Sequence, residues 1–481
     1  MLSWLSASLA DALGRVLLKL ATTIVLARWL TPAVFGEAAL TIVVVSLIAI
    51  VVTAPFEEAL AQQRIVRRRH FAAALGLTVL GAALLIVLVG VLAWGWAWYW
   101  PGGQGAQLAR LVAGFSLILP AHATVAVFTA LARRHRRFDT LAWANLAGDG
   151  GGAVVGLVLA VAGAGVWALL SIRLVSRLIT AGLLVATSPA RIRPSLARAP
   201  LVELGGFAGW FFVARCIDKA TDAVFQGLVA RLFGLEGLGY LNMALRIIEP
   251  IRSPTASVSH NIALSYFMRA QHTPARLRAA VADTVSQTAL VLLPVYFGLA
   301  AVAPATIDLL AGPGWTAAGT IARGLAIAAG VSAVVHFLMT ALAARGRAAV
   351  IAGALALELV IAAGALVALG PWGWAAIGAA RVVSALGLAA IYLWAAQSAF
   401  GLSVGGFMRA AVPAAVSAMV MAGAIAALDA SGMVAGSPAW RLGSQMGIGI
   451  VLFSVLVLLF HRSTLRSIMA VLGRTPRAAA G

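Results

Sequence analysis

The informative charges of this 481-residue chain recur at helical spacing inside apolar runs. Arg215, Asp218, Lys219 and Asp222 stand at i, i+3, i+4 and i+7, which stacks all four on one face of a helix, and Gln226 extends the stripe. Asp11, Arg15 and Lys19 repeat the device at steps of four, continuing to Thr22 and Thr23. Arg246, Glu249 and Arg252 surround Pro250, Arg173 and Arg177 lie four apart, and Arg381 stands alone. The chemistry open to such groups is recognition of charge: guanidinium and ammonium groups bind phosphate or carboxylate, and adjacent carboxylates hold those cations in place. Nothing in the pattern calls for a metal. His122, His260 and His336 lack metal-ligand spacing and read as hydrogen-bonded interior residues, while the single cysteine, Cys216, excludes an internal disulfide.

The elements that must position these residues are membrane helices. Residues that are 62% hydrophobic and 10% charged leave little room for anything else, because roughly 20 mostly apolar residues cross the hydrocarbon core as a helix. Apolar windows broken by Gly, Pro and Arg clusters place six spans near 10 to 30, 35 to 56, 71 to 95, 107 to 131, 140 to 162 and 165 to 187. Six more follow near 204 to 233, 239 to 268, 280 to 303, 318 to 344, 348 to 369 and 374 to 396, and a last pair near 409 to 428 and 442 to 460. The expected organisation is an N-lobe over 1–187, a cytoplasmic linker over 188–203, a C-lobe over 204–396, and two further helices with a basic tail over 397–481. The charged first helix has no small-residue cleavage site after it and reads as a retained span.

Charge distribution sets the orientation. With the N-terminus in the cytoplasm, 21 of the 35 basic residues fall at inner loops and ends and only Arg28, Arg110, Arg231 and Arg441 at outer ones, the bias expected when basic loops are retained inside. Trp94, Trp96, Trp98, Tyr99 and Trp100 cluster at the expected outer end of the third span, where aromatic rings favour the interface. The net charge of +20 therefore reads as topology, and no interleaved basic and aromatic segment suited to nucleic acid is present. Both termini are expected in the cytoplasm.

An ionisable group at mid-bilayer costs about 3 kcal/mol on insertion scales, so charges within the spans must face one another or water. Ten basic residues there (Arg15, Lys19, Arg173, Arg177, Arg215, Lys219, Arg246, Arg252, Arg323 and Arg381) stand against seven acidic ones (Asp11, Asp149, Asp218, Asp222, Glu249, Asp283 and Glu358). Arg323 and Asp283 can snorkel outward, and the basic surplus survives their removal. Surplus positive charge around an interior cavity suits an anion such as a phosphate or diphosphate. Asn145 and Asp149 precede Gly150, Gly151 and Gly152, which suggests either a broken-helix cation site or a close glycine packing contact, with packing the better-supported alternative.

An internal repeat accompanies these features. Leu26 to Gly36, LARWLTPAVFG, aligns without gaps to Val229 to Gly239, VARLFGLEGLG, at an offset of 203. Both close the first span of a lobe and turn into the second, as parallel repeats do. The offset sets Arg15 against Asp218 and Lys19 against Asp222, a candidate gate latch. With LARWLTPAVFGEAAL (Leu26 to Leu40), ALARRHRRF (Ala130 to Phe138), GAGVWAL (Gly163 to Leu169), VARLFGLEGLGYLNMALRIIEPIR (Val229 to Arg252) and LLAGPGW (Leu309 to Trp315), the chain resembles, over essentially its whole length, the polysaccharide transporters of the multidrug/oligosaccharidyl-lipid/polysaccharide (MOP) exporter superfamily, the Wzx-like flippases.

The resemblance implies an all-α polytopic fold with two six-helix lobes around a central cavity plus two C-terminal helices that can contribute a groove for a polyprenyl tail. It implies alternating access driven by an ion gradient, with H+ or Na+ as coupling ion, and a polyprenyl-diphosphate-linked oligosaccharide as substrate. A polysaccharide polymerase and export machinery are the implied partners, alongside membrane lipids. Relatives often carry an acid about nine residues before the glycine found here at Gly234; this chain has Phe225 there, with Asp222 earlier, so coupling residues are not carried over. The resemblance implies a flippase of a bacterial inner membrane acting from the cytoplasmic to the periplasmic leaflet. Arg15, Lys19, Arg215, Lys219, Arg246, Arg252, Arg173 and Arg177 line its cavity, while Asp11, Asp218, Asp222 and Glu249 act as charge partners. Pro120, Pro250, Pro254 and Pro294 supply bending points, and no GxxxxGK phosphate loop is present for ATP hydrolysis. The alternatives are a membrane polymerase or ligase, whose candidate outer acids Glu37, Glu236, Asp308 and Asp429 are scattered, and a drug antiporter, which calls for an acidic cavity.

Overall fold

Inside a bilayer no water is available to bond the backbone, so apolar segments must satisfy their own N–H and C=O groups, and the helix does this within one segment. The computed structural model describes residues 2–62, 66–99, 103–189, 192–432 and 437–462, and these form helices and short turns with no strand. In chain order they are α1 (Leu2–Trp29), α2 (Pro32–Gln62), α3 (Arg68–Tyr99), α4 (Gly103–Phe115), α5 (Leu119–Arg134), α6 (Phe138–Val161) and α7 (Val166–Ala186). There follow α8 (Arg198–Ala270), α9 (Pro274–Ala311), α10 (Thr316–Ala344), α11 (Ala348–Leu369), α12 (Ala375–Phe400), α13 (Val404–Ala430) and α14 (Pro438–Phe460).

Fourteen expected spans and fourteen helices agree in number through two compensating differences. The fourth span is interrupted by a 3-10 turn, Ser116–Ile118, and becomes α4 and α5. The seventh and eighth spans run together as α8, separated only at Gly234, whose φ of 71° and ψ of −176° only glycine adopts without strain. Eleven spans among the described residues are long and apolar enough to cross a membrane.

The chain divides into two compact units, Met1–Asn242 and Met243–Gly481. In the first, α2, α3 and α5 enclose Leu60, Phe71, Leu75, Phe128 and Leu131. The linker after α7 is strapped to α3: Ser195 N–H donates to the Ala72 carbonyl at 2.9 Å, and any side chain at Gly76 would strike the Ser195 backbone. Lipid-facing residues are apolar, with Leu84, Val87, Leu88, Val91 and Leu92 exposed along α3. In the second unit, Phe267, Phe337, Tyr392, Phe400 and Phe407 belong to one core built from α8 to α13. There α13 and α14 are fastened by polar contacts at both ends: the Arg441 guanidinium and Gln445 amide bond Asp429 at one, and Ser417 Oγ meets His461 Nε2 at 3.0 Å at the other.

Arginines at the connecting turns also bond the ends of neighbouring helices. Arg134 donates to the Leu60 carbonyl near the end of α2, Arg137 to Thr187 after α7, and Arg345 to both Gln271 after α8 and Ala399 in the last turn of α12. Each places a cation at the negative end of a helix and bonds a carbonyl left over there, worth about 0.3–1 kcal/mol. The turns that present them are built alike. Arg137 N–H reaches the Ala132 carbonyl at 2.9 Å and Arg347 N–H the Leu342 carbonyl at 3.0 Å, each after a left-handed residue, Arg136 and Gly346.

A second pair of matching segments opens α7 and α12. Gly165 and Gly373, both at positive φ, are followed eight residues later by Arg173-Leu-Val-Ser176 and Arg381-Val-Val-Ser384. The first repeat has a structural expression too. A Cβ on Gly36 would overlap the carbonyl oxygen of Leu235, and one on Gly239 that of Pro32. Since 36 corresponds to 239 and 32 to 235, the contact is reciprocal within the first unit. It joins helix backbones at a distance only glycine permits. We expect Gly36→Val to lower the melting temperature of the detergent-solubilised protein by several degrees, since the added atoms must displace backbone at a cost of about 1–3 kcal/mol. Gly90→Ala, at a site with open space, should leave melting unchanged. Equal melting of Gly36→Val and wild type would contradict the close contact.

Candidate anion-binding site in the first unit

The site begins with glycine spacing. Gly148, Gly152 and Gly156 recur every fourth residue on α6, so one face of the helix carries no side chain. A Cβ at these positions would meet Thr180 Oγ1, the Ile172 carbonyl and the Ile172 side chain on α7. The two helices therefore pack backbone to backbone. Thr180 Oγ1 adds a hydrogen bond to the Ala144 carbonyl at 3.2 Å. α6 runs unbroken, so the glycines serve packing, and the broken-helix reading of Asp149 is corrected on that point.

This approach brings Asp149 to α7 and α1 together. Ser176 Oγ donates to Asp149 Oδ1 at 3.0 Å, and Lys19 Nζ lies 3.2 Å from Asp149 Oδ2. Both carboxylate oxygens are engaged, and the cation at Asp149 is the protein's own ammonium. Asn145 turns its amide back to the Leu141 carbonyl one turn earlier, at 2.8 Å. No group of three or more His, Cys, Asp or Glu suited to a metal occurs among the described residues.

Two guanidiniums complete the cluster. Arg173 and Arg177 lie one turn apart on α7 and act on each other electrostatically; Asp149 acts on Arg173, and both arginines act on His122 of α5. Among the described residues, Lys19, Arg173 and Arg177 thus gather near one carboxylate, with Lys19 paired to it and Arg173 within its field. The Lys19 side chain keeps 66% of its surface accessible although it lies within a helix flanked by apolar residues. Arg173 is surrounded by protein atoms and still presents accessible surface. A charge facing lipid would carry the insertion cost, whereas one facing trapped water does not. What this arrangement can do is hold an anion: planar guanidiniums and an ammonium offer several charge-assisted donors to phosphate oxygens.

Of the other residues expected at the site, Glu249 and Arg252 belong to the second unit. Glu249 accepts from Arg252 Nε at 2.9 Å on α8, with both side chains about half exposed, and Thr255 Oγ1 meets the hydroxyl of the buried Tyr296 of α9 at 2.8 Å, all in the second unit. Arg15, Lys219, Asp222 and Arg246 each have an interaction with a neighbour. The side chains of Asp11, Arg215, Asp218 and Pro254 lie outside the described residues, and with Asp218 the latch to Arg15. Ser176 and His122 enter the site unforeseen. Ser176 is three residues from Arg173, hence on the same helical face, a spacing that was available in the sequence. His122 shows no such signal, because its proximity to α7 arises from packing between helices.

Comparison with known proteins agrees with the fold. The family described as "Polysaccharide biosynthesis protein" (Polysacc_synt_3) matches residues 25–319. The succinoglycan biosynthesis transport protein ExoT of Rhizobium meliloti (strain 1021) is 26% identical over 486 residues, covering 98% of this chain and 96% of the relative. Among solved structures, the lipid II flippase MurJ in an inward closed conformation superposes with a TM-score of 0.73 at 12% identity, over 95% of this chain and 99% of that one. An inward-facing multidrug resistance MATE family transporter of the MOP superfamily gives 0.58 at 13% identity, over 83% and 98%. These two likenesses establish a fold shared with MurJ and the MATE transporters. With the family match spanning more than half of its length, the chain belongs to the polysaccharide biosynthesis protein family, on the fold of the MOP superfamily.

Proposed function

We propose that this protein is a flippase that carries a polyprenyl-diphosphate-linked oligosaccharide from the cytoplasmic to the periplasmic leaflet of a bacterial inner membrane for assembly of a surface polysaccharide. The observation that carries the reading is the surplus of cations over carboxylates in the accessible cluster of Lys19, Arg173, Arg177 and Asp149. A diphosphate brings negative charge and several acceptor oxygens, and each charge-assisted hydrogen bond to it contributes about 1.5–3 kcal/mol. Asp149 and Ser176 hold Lys19 in place so that its remaining donors face the substrate. The relatives support the reading: one is named a succinoglycan biosynthesis transport protein and another a lipid II flippase.

Alternating exposure of this site to the two leaflets, driven by a gradient of H+ or Na+, would move the head group while the apolar tail stays in lipid. Polymerase and export machinery would receive the product. An enzyme on the outer face needs free acid and base groups, and three of the four candidate acids there are engaged structurally. Glu37 is hydrogen-bonded to Gln107, Glu236 to the Tyr240 hydroxyl at 2.7 Å, and Asp429 to Arg441 and Gln445. A drug antiporter for small cations is disfavoured by the same positive surplus that suits a diphosphate.

Purified protein in liposomes holding a fluorescent short-chain prenyl-diphosphate oligosaccharide gives the test. Wild type should transfer the lipid between leaflets, and Arg173→Gln should slow the initial rate about tenfold or more, as expected for loss of a charged phosphate contact. Transfer by wild type no faster than in protein-free vesicles, or an unimpaired Arg173→Gln, would contradict the proposal. Orientation is tested separately: alkaline phosphatase fused after Gly401 should be inactive and after Gly432 active, and the reverse pattern would invert the expected topology.

A further inference from the structure

Gln226 is the member of the polar stripe on α8 that the anion site leaves without a task. It stands one turn beyond Asp222, which places Lys219, Asp222 and Gln226 on one face of the helix, and all three keep accessible surface. Lys219 and Asp222 each interact with a neighbour. Phe225 and Val229 beside Gln226 are buried, whereas a Cβ at Gly227 would meet no described atom within 4 Å. Gly234 then breaks the helix, and the stretch that follows brings Asn242 back to Gln226 within the first unit.

The Asn242 amide N–H groups donate to the Leu238 carbonyl at 3.0 Å and to Gln226 Oε1 at 3.4 Å. A backbone carbonyl only accepts, so the bond to Leu238 fixes which end of the Asn242 amide is nitrogen, and with it the orientation of Gln226. Gln226 thereby keeps its two N–H donors and Asn242 its carbonyl oxygen, with no partner for them among the described residues. Such groups within a hydrophobic slab cost free energy unless water or a ligand reaches them, and both side chains are half-buried, not sealed. What they offer is selective in kind. A phosphate oxygen only accepts, so the Asn242 oxygen and the Asp222 carboxylate one turn away would repel it. A cation would take the oxygen and be repelled by the amide hydrogens. A sugar hydroxyl both donates and accepts, and neighbouring hydroxyls on one ring match an amide N–H beside an amide C=O.

We propose that Gln226 and Asn242 form a sugar-binding subsite: the Gln226 amide donates to hydroxyls of the substrate's saccharide, and the Asn242 carbonyl accepts from them. The inference rests on the flippase reading and assigns recognition of the glycan to uncharged residues, apart from the cations that take the diphosphate. Because the two amides lie on either side of Gly234, a bound sugar also bridges the break in α8.

The test is calorimetric titration of the detergent-solubilised full chain with two water-soluble probes of equal charge. One is a short-chain prenyl diphosphate esterified to a neutral hexose disaccharide, cellobiose, and the other is the same prenyl diphosphate esterified to methanol. Wild type should bind the saccharide probe about tenfold more tightly than the methyl probe. Gln226→Leu and Asn242→Leu should each bind the saccharide probe about threefold to tenfold more weakly, as loss of a neutral hydrogen bond predicts, and bind the methyl probe as wild type does. Arg173→Gln should weaken both probes alike. Equal affinity of wild type for the two probes, or variants that keep the whole saccharide preference, overturns the subsite and leaves the flippase reading standing. Equal losses for both probes in the leucine variants also overturn it, and assign the pair to holding the two stretches of α8 together. Binding of neither probe by wild type overturns both readings. Should the leucine variants fail to fold, Gln226→Asn, which retracts the donors by one methylene, should lower the saccharide preference alone, and an unchanged preference overturns the subsite.

Discussion

Positive charge placed within a hydrophobic slab has to be paired, hydrated or both, and the first unit of this protein meets that requirement through one contact between helices. α6 and α7 approach backbone to backbone along Gly148, Gly152 and Gly156. That closeness lets Ser176 reach Asp149, and Asp149 in turn receives Lys19 from α1. A side chain at any of the three glycines would push the helices apart and leave the ammonium with no fixed counter-charge. The packing and the electrostatics are one arrangement, because the carboxylate that anchors Lys19 sits next to a glycine that sets the helix spacing.

Each unit has fastenings of its own, and they are of the same kind. Guanidiniums at the connecting turns tie the ends of α2, α7, α8 and α12 to the turns that precede α6 and α11. The Arg136 and Gly346 turns, the glycines at positive φ ahead of α7 and α12, and the reciprocal contact of Gly36 with Leu235 and Gly239 with Pro32 all recur at an internal repeat of just over two hundred residues. The same local solutions have been used twice. What differs is the chemistry placed on them: at the position of Lys19 the second copy has Asp222, and Arg177 has no basic counterpart after Arg381.

Most of the fold was legible in the sequence because hydropathy and helix breakers act locally. The fourteen spans, the break near Gly234 and the bending role of Pro120 could be read from residue types alone, although nothing local indicated that Pro120 accompanies a turn of 3-10 helix. The site was legible only in its ingredients. Lys19, Asp149, Arg173 and Arg177 stood out as charges in apolar surroundings, but Lys19 was read with its own helical stripe and against Asp222. Its partnership with Asp149 depends on which faces of α1 and α6 meet, and His122 joins the arginines for a similar reason. The inner arginines were read as orientation signals, and their bonds to helix ends required the three-dimensional neighbours.

The central claim is that the charges of this cluster face water within the membrane. In a Cys216→Ala background, single cysteines at Lys19, Arg173 and the lipid-facing Leu84 can be challenged in intact membranes with a membrane-impermeant thiol reagent. Cysteines at Lys19 and Arg173 should react readily, since thiolate forms only where water reaches it, while the one at Leu84 stays unmodified. Reaction at Lys19 and Arg173 no faster than at Leu84 would mean that the cluster is dry, and would contradict an aqueous anion site in this protein.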